Sequence, residues 1–355
     1  MATSGTKTRG SGAYVVSLAL VSAALFGAAT PASKAVLGNL TAFQLAGLLY
    51  LGAALGVLTV MIRKRSWRPP WAMTAKNQRN LIGAVFFGGL LGPVLLLFGL
   101  QMASATSVSM WLNLEIVATA VLGRMFFHDH LGRYGWLGVA GIVATGALLS
   151  VGEGLAGLWA GLLVTAACTC WGLDNHFTSL IDGITPSQST FWKGLVAGSV
   201  NLILGLILHS YDASVTITVG ALVIGVFSYG ASITLYITAA QGMGATRAQM
   251  FFASAPFFGV ALSAIALGES ITALQLTSGV LLAISLAALF RDRHHHGHVH
   301  DPMEHEHAHR HDDEHHDHAH PELASGTRNS HWHEHNVVEH AHPHWPDLHH
   351  RHRHS

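Results

Sequence analysis

Residues 101–110 read QMASATSVSM, and the same pattern returns 140 residues later, at 241–250, as QGMGATRAQM. The match keeps one register beyond these stretches, because Asp129 lies over Glu269 at the same spacing. Each stretch opens an apolar segment long enough to cross a membrane, so the two belong to corresponding spans of a repeated unit. The spacing therefore predicts a chain built from two copies of one helical half.

Apolar segments of about 20 residues, the length that crosses a bilayer as a helix, follow one another along most of the chain. The sequence predicts ten spans, at residues 13–36, 41–62, 81–100, 104–123, 134–152, 156–180, 190–209, 218–240, 246–267 and 273–290. Five spans per half is an odd number, so the second half enters the membrane in the opposite sense to the first, as in many secondary transporters.

The predicted fold class is an all-α membrane protein with ten transmembrane helices in two inverted five-helix repeats, followed by a disordered tail. The predicted boundaries are a cytoplasmic N-terminus at 1–12, a first repeat at 13–152, a second repeat at 153–290 and a tail at 291–355.

The formal charge of zero is a cancellation between two dissimilar parts of the chain. Residues 1–290 hold 13 lysines and arginines against seven acidic residues, whereas residues 291–355 hold six against 12. The tail also holds 23 of the 27 histidines. So few acidic residues in a long body rich in Gly and Ala are typical of a membrane domain, because the bilayer excludes charge.

Lysines and arginines are divided unevenly among the loops. None follows an odd-numbered span, whereas the N-terminus and the loops after even-numbered spans carry Lys7, Arg9, Arg63, Lys64, Arg65, Arg68, Lys76, Arg79, Arg124, Arg133 and Arg247. Basic loops remain in the cytoplasm, so both termini are predicted to be cytoplasmic. We expect a multi-pass protein of a bacterial inner membrane.

Three stretches carry a family resemblance: FGAATPASKAVL in span one, ATSVSMWLNLEIVATAVLG in span four and ATRAQMFFASAPFFGVALSAIALGESIT in span nine. Over residues 13–290 the chain resembles the EamA type of the drug/metabolite transporter superfamily. The resemblance implies two inverted five-helix halves, and Lys34 is similar to a lysine of that family in span one. Where the second half has the signature Ser-Ala-Pro at 254–256, the first half has Leu-Glu-Ile at 114–116.

Glu115 is the deepest ionisable residue, since it lies about ten residues from either end of span four. An ionisable side chain at that depth costs several kcal/mol and usually faces the bundle interior or water. Helical spacing places Trp111, Glu115 and Thr119 on one stripe, with Asn113 nearby. A carboxyl group in an apolar setting keeps its proton to near neutral pH, which suits coupling to a proton gradient. Glu115 is either such an acid or one side of a satisfied interhelical hydrogen bond.

A second polar group lies towards the cytoplasmic end of the bundle. Asp174, Asn175 and His176 lie late in span six, and Lys193 lies just inside span seven. Asp174 and Lys193 can pair across that hairpin, as a structural or a working ion pair. His176 alone is more often a packed histidine than a ligand. Lys34, near the outer end of span one, either lines the pathway or extends to the interface.

Prolines interrupt three spans. Pro31, Pro93 and Pro256 lie within spans one, three and nine. Each lacks an N–H donor, so carbonyls of the preceding turn are freed and must be satisfied by neighbouring groups or by a cavity.

The tail is a low-complexity segment with histidine clusters at 294–320, 331–344 and 349–354. With few aliphatic residues it is expected to be disordered. Neutral imidazole suits Zn, Ni and Co, so we predict divalent metal binding by the first cluster, although no cofactor is required. The predicted ligands are His294, His295, His296, His298, His300, His305, His307, His309, His311, His315, His316, His318 and His320. Histidine titrates near pH ~6.5, so a pH-sensitive latch against the basic loop at 63–79 is an alternative, and a solubilising extension is another.

No phosphate-binding GxxxxGK[ST] loop and no nucleophile with a matching base is present, so an enzyme or an ATP-driven pump is not expected. The expected partners are the lipid bilayer and a small-molecule or metal substrate, not nucleic acid, and a homodimer is an open arrangement. The first interpretation is a proton-coupled secondary transporter that exports a small solute by alternating access, with a regulatory tail. The alternative is a Zn, Ni or Co efflux transporter whose tail collects metal and passes it to Asp174, His176 and Glu115. A metal or pH sensor with a transporter-like body is a third.

Overall fold

The structure is a computed structural model. It describes residues 9–64, 67, 69–126, 132–181, 184–243, 248, 251–291, 294–299, 303–310, 328–335 and 339–344.

The first half contains eight α-helices in its described residues. They are α1 (Arg9–Gly27), α2 (Ala29–Leu37), α3 (Ala42–Lys64), α4 (Ala75–Ala84), α5 (Gly92–Met102), α6 (Ala105–Trp111), α7 (Leu114–Phe126) and α8 (Arg133–Gly152). A 3-10 turn, Pro70–Ala72, precedes α4, and a π-helical segment, Val85–Leu91, joins α4 to α5 within span three.

Six helices lie in the described residues of the second half, where span six, unlike span one, is continuous and residues 244–247 and 249–250, around the start of span nine, lie outside the description. The described helices are α9 (Gly154–Ser179), α10 (Pro186–Leu208), α11 (Val215–Ile224), α12 (Ser232–Met243), α13 (Ala255–Leu267) and α14 (Ala273–Arg291). A second π-helical segment, Gly225–Ala231, joins α11 to α12 within span eight.

Nine helices in the described part of the chain are long and apolar enough to cross a membrane, and α13 is a shorter apolar helix at the place of predicted span nine. Their ends fall close to the predicted ones, except that span three begins at Ala75, six residues earlier than expected. The reason is local, since the Thr74 hydroxyl accepts the Asn77 N–H and starts the helix among polar residues. The all-helical membrane body predicted from the sequence is confirmed.

The two halves repeat each other even in their irregularities. The π-helical segments Val85–Leu91 and Gly225–Ala231 are 140 residues apart, which is the spacing of the sequence repeat. Span four is interrupted just before Leu114, and span nine has its corresponding interruption just before Ala255. These shared irregularities confirm the two-repeat architecture. Regular helices would be less informative, because any two of them have the same backbone.

Three spans of the first half pack against their counterparts in the second half. Helix α3 of span two packs along α10 of span seven, α8 of span five packs along α14 of span ten, and α6 of span four contacts α13 of span nine. Contacts between non-equivalent spans are repeated as well. Helix α1 of span one contacts α12 of span eight, and α5 of span three contacts α9 of span six. This arrangement is expected for two halves related by a two-fold axis in the membrane plane.

Glycines allow the halves to approach closely between spans two and eight. A Cβ at Gly52 would lie 2.3 Å from the Leu222 carbonyl oxygen, and a Cβ at Gly225 would lie 2.2 Å from that of Leu49. Further along, Gly56 and Gly230 face each other in the same way. In lipid, where burial supplies little driving force between helices, such backbone contact is a principal source of helix association.

The described parts of the tail form four strands, β1 (His294–Val299), β2 (Met303–Arg310), β3 (Arg328–His335) and β4 (Glu339–His344). Strand β1 pairs antiparallel with β4, and β2 with β3, in two separate ladders. The structure differs here from the predicted disorder. Backbone pairing satisfies N–H and C=O groups without an apolar core, which the tail's composition could not supply.

Replacing Gly225 by valine should reduce stability, because the new side chain meets the backbone of span two. Overpacking of this kind costs about 1–3 kcal/mol. Gly220→Val in the same span is the matched control, since a Cβ there meets no atom within 4 Å. Thermal unfolding in detergent should show a lower midpoint for Gly225→Val only. Equal midpoints for the two variants would contradict the close packing of spans two and eight.

Candidate functional site

A cavity of about 60 Å³ lies where the interrupted spans four and nine meet span one. It is lined by Phe26, Gly27, Thr30, Ser109, Leu112, Asn113, Glu115, Ile116, Phe252, Ala253, Ala255 and Pro256. Both halves contribute to the lining. The cavity therefore occupies the position in which inverted-repeat transporters hold their substrates, between the halves and beside discontinuous helices.

The interruption of span four forms without a proline. The Asn113 N–H donates to the Met110 carbonyl and the Glu115 N–H to the Leu112 carbonyl, so both bonds reach back three residues rather than four. Freed carbonyls are covered from span six, where Cys168 Sγ lies 3.7 Å from the Trp111 oxygen and 3.8 Å from the Leu112 oxygen. Sequence reasoning missed this break, and its only signal was the alignment of 114–116 with 254–256.

In span nine the break follows the expected rule. Pro256 lies at the first turn of α13, where its missing N–H is tolerated, and the Phe257 N–H donates to the Ser254 carbonyl. The two halves thus reach the same backbone geometry by different side chains.

The Glu115 carboxylate lines the cavity and is held from span six. Asn175 Nδ2 donates to Glu115 Oε1 at 2.9 Å and to Thr119 Oγ1 at 3.2 Å. Glu115 is partly buried, whereas the Asn175 side chain is exposed. His176 is close to the same helix, with Nε2 at 3.1 Å from the Thr119 carbonyl oxygen. Glu115, Thr119, Asn175 and His176 are therefore brought together.

Trp111 and Asn113 take different places. The buried Trp111 indole donates to the Gly146 carbonyl of span five at 3.0 Å, and Trp111 is not among the residues that line the cavity. The expected stripe of Trp111, Glu115 and Thr119 is interrupted, because the helix breaks between the first two. Asn113 does line the cavity, and its amide donates to the Met110 carbonyl at 3.3 Å.

Asp174 and Lys193 form a largely buried ion pair. Lys193 Nζ lies 2.6 Å from both carboxylate oxygens of Asp174, and Thr178 Oγ1 donates to Asp174 Oδ1 at 2.9 Å. The side chains are 16% and 10% exposed. The carboxylate packs on Gly88, where a Cβ would lie 2.1 Å from Asp174 Oδ2. Each charge is therefore compensated by the other.

The π-helical segment beside this ion pair has its free carbonyls satisfied from three other spans. Pro93 lacks the N–H that would serve Gly88 or Gly89. Tyr50 Oη and Trp171 Nε1 donate instead to the Gly88 oxygen, at 2.5 and 3.0 Å. Asn201 Nδ2 donates to the Gly89 oxygen at 3.1 Å. The sequence predicted that Pro93 would free carbonyl groups in span three, but not which side chains would bind them.

Lys34 lies apart from the cavity. Its Nζ donates to the carbonyl oxygens of Leu100 at 2.5 Å and Ala103 at 2.8 Å, at the end of α5. A cation on the last carbonyls of a helix is stabilised by the helix dipole. The geometry supports an anchoring contact near the membrane interface.

Two carboxylates that the sequence analysis did not select join the halves at the odd-loop end, the end that carries the loops after odd-numbered spans. Glu269 accepts the N–H groups of Ala105 and Thr106 at 2.8 and 2.9 Å, and the Thr106 hydroxyl at 2.7 Å. Glu153 accepts the hydroxyls of Ser104 and Ser107. The repeat had pointed to Glu269, because a polar residue recurred there.

Of the predicted tail ligands, seven lie in strands: His294, His295, His296, His298, His305, His307 and His309. The other six, His300, His311, His315, His316, His318 and His320, lie outside the described residues. Across the ladders, histidines pair in register with histidines, for example His296 with His342 and His307 with His331. In the described part of the chain, no three His, Cys, Asp or Glu residues form a metal-binding group.

A helical membrane bundle with two repeated halves, broken helices and a cavity between the halves has the architecture of a membrane transporter. Residues 13–151 and 158–291 each match the EamA-like transporter family, and the chain belongs to this family.

An "Uncharacterized transporter" of Methanothermobacter thermautotrophicus (strain Delta H) is 27% identical over 231 residues. The alignment covers 61% of this chain and 66% of that relative, just under two thirds of its length. A solved structure described as "Crystal structure of protein" shares the fold with a TM-score of 0.56 at 13% identity, over 78% of this chain and 95% of that one. Both the family and the relative point to a transporter rather than an enzyme.

Removing one side of the Asp174–Lys193 pair should destabilise the protein more than removing both. A single Lys193→Met or Asp174→Asn substitution leaves an uncompensated buried group, at a cost of about 3–5 kcal/mol for a buried pair. The double variant leaves neither charge and should recover most of that loss. Thermal unfolding of the four proteins in detergent forms a double-mutant cycle. Additive effects in this cycle would show that the two charges do not interact.

Proposed function

We propose that this protein is a proton-coupled secondary transporter that exports a small solute by alternating access, with Glu115 as the coupling residue. The single observation that carries the proposal is that Glu115, among the residues that line the cavity between the halves, is the one with an ionisable side chain. A group that alternates between its protonated and charged forms at the substrate site can exchange a proton for a solute. An inward proton gradient would then drive export.

The surroundings of Glu115 support this role. Its hydrogen-bond partner Asn175 is neutral and exposed, so the contact that holds the carboxylate does not itself compensate its charge. Asp174 is different, because Lys193 already neutralises it. A carboxyl group without a fixed cation can bind and release a proton as its surroundings change.

The odd-loop end is closed by side chains from both halves. Glu269 and Gln275 of the second half bond to the start of α6 in the first half, where Gln275 Nε2 donates to Ser107 Oγ at 3.1 Å. Alternating access requires these bonds to break when the site opens at that end. The contacts support a conformation closed at the odd-loop end.

We propose that the odd-loop end faces outward and that both termini lie inside the cell, in a bacterial inner membrane, an orientation that the basic loops support. The histidine-rich tail then lies in the cytoplasm, where metal or pH can act on it. Histidines that face histidines in the strand register, such as His294 with His344 and His305 with His333, support binding of Zn, Ni or Co by the tail. We propose that the tail regulates transport in response to such a signal.

Divalent metal efflux is the second candidate, and the same register favours it, because a cytoplasmic metal-binding tail would concentrate the cargo near the pathway. In this version Asp174, His176 and Glu115 would receive metal from the tail. Asp174 is engaged by Lys193, so its use as a ligand requires that ion pair to open. No second copy of the chain, cofactor or nucleic acid is needed in either version.

Glu115→Gln should abolish gradient-driven transport while leaving the protein in the membrane, because the amide is isosteric but cannot take up a proton. Proteoliposomes loaded with amines, amino acids, nucleosides and divalent metals are given an imposed pH gradient, and released solutes are measured by mass spectrometry. We expect at least a 100-fold loss for every solute that the wild type moves. Asp212→Asn, which changes an exposed loop carboxylate, is the control and should transport normally. Gradient-dependent transport by Glu115→Gln at wild-type rates would contradict the proposal.

Truncation after Arg293 should remove most of the metal bound by the purified protein while leaving the helical body folded. Equilibrium dialysis with Ni²⁺ or Zn²⁺ at pH 7.5 and 5.5 provides the measurement. Binding to the full chain should fall at the lower pH, since protonated imidazole is not a metal ligand.

Cells that express either form, challenged with Zn, Ni, Co and Cu, then separate the candidates. Lower cell metal with the full chain, but not with Glu115→Gln, supports metal efflux.

A further inference from the structure

We propose that the cavity selects a cation, and that the cargo's positive charge is held between the Glu115 carboxylate and the Ser109 hydroxyl. This inference rests on the proposed function, because it assigns the charge of the solute that the same cavity would carry. It adds Ser109 as a residue that determines specificity.

The charge of the lining is the first argument. Among the cavity-lining residues, Glu115 is the ionisable one, and the rest are apolar or neutral polar. Lys193 is committed to Asp174, and Lys34 is bound to the carbonyls at the end of α5. The deprotonated cavity therefore carries one negative charge without a partner cation in its lining. An anionic solute would be repelled, whereas a cation would compensate the charge.

Ser109 is the second and independent argument. Its side chain lines the cavity, the residue is 1% exposed, and its hydroxyl has no hydrogen-bond partner among the described residues. Leaving a buried hydroxyl unsatisfied costs about 1–3 kcal/mol, so the group is expected to have a partner when the site is occupied. The hydroxyl lies in the space left by Gly259, where a Cβ would be only 2.6 Å from Ser109 Oγ. Its oxygen therefore lies between spans four and nine, at the edge of the cavity that Ser109 lines.

The remaining lining suits a positive charge as well. Phe26 and Phe252, one from each half, line the cavity with ring centroids 5.2 Å apart. The faces of aromatic rings attract cations. Thr30 and Asn113 add neutral oxygen atoms. At about 60 Å³ the cavity holds a compact charged group together with little water.

Two kinds of solute present such a group: a divalent metal ion and the ammonium head of an organic amine. Both would compete with a proton for the same carboxylate. Binding of either cation to the protonated site forms a carboxylate–cation contact and releases the carboxyl proton to solvent, so one proton leaves for each cation bound. Affinity should consequently rise with pH.

The test is titration of the full-length protein in detergent, in weakly buffered solution, with benzyltrimethylammonium chloride and separately with NiCl₂. Protons released and cations bound are measured together. For at least one of the two probes we expect a component with one proton per cation that disappears in Glu115→Gln. The tail is present in both proteins, so metal bound by the tail cancels in the comparison. A component seen only with benzyltrimethylammonium identifies an organic cation, and one seen only with Ni²⁺ identifies a metal.

Ser109→Ala should weaken that component about tenfold, the effect of losing one contact of roughly 1.4 kcal/mol between the hydroxyl oxygen and the cation, while still releasing one proton. Ser189→Ala is the matched control, because Ser189 also has a buried hydroxyl without a partner in the described residues but does not line the cavity. It should bind as the wild type does. Equal weakening by the two serine variants would overturn the role of Ser109.

The inference and the proposed function can fail separately. If neither probe shows a Glu115-dependent component, but a neutral or anionic solute is transported in a Glu115-dependent way, the cation proposal is overturned and the transporter proposal stands. If the component is present but Glu115→Gln transports at wild-type rates, the cation site stands and the coupling role of Glu115 is overturned.

Discussion

The structure depends on one constraint: a polypeptide in lipid cannot leave its backbone N–H and C=O groups unpaired, because each unpaired group costs several kcal/mol. A regular helix meets this requirement by itself, so every departure from regularity must be repaired by other spans. The π-helical segment of span three shows how. The carbonyls freed near Pro93 are bound by Tyr50, Trp171 and Asn201, from spans two, six and seven. A local defect thereby ties four spans together, and span four is tied to span six in the same way through Cys168.

The halves share a backbone but differ in chemistry. Both have a π-helical segment and a broken span at equivalent places, yet the first half puts Glu115 beside its break and the second half puts Pro256. In the alternating-access mechanism that we propose, symmetry of the backbone would supply two related conformations, since each half can adopt the role of the other. Asymmetry of the side chains supplies the site. One half contributes the charge and the hydroxyl of Ser109, and the other half contributes an aromatic wall at Phe252.

Charged side chains within the membrane differ in whether a fixed contact compensates their charge. Lys193 and Asp174 neutralise each other, and Lys34 rests on helix-end carbonyls, so each has a fixed partner. Glu115 is held instead by the amide of Asn175, a neutral donor. An isolated buried charge is far more costly than a paired one. For this reason we assign the proposed proton coupling to Glu115, the carboxylate on the cavity lining.

The sequence by itself determined the membrane body, the number of halves and their register. The lengths of the apolar segments and the 140-residue repeat can be read along the chain without knowledge of any contact in the fold. It also singled out Glu115, because a carboxylate in an apolar run is conspicuous. Only the tertiary structure decided which polar residues meet. Trp111, four residues before Glu115, would share a face with it on a regular helix, but its indole donates to the Gly146 carbonyl because span four breaks between them. The role of Glu269 at the start of α6 and the unpaired hydroxyl of Ser109 depend on residues more than 100 positions apart in the chain, and such proximity is set by the packing of whole helices, not by local spacing.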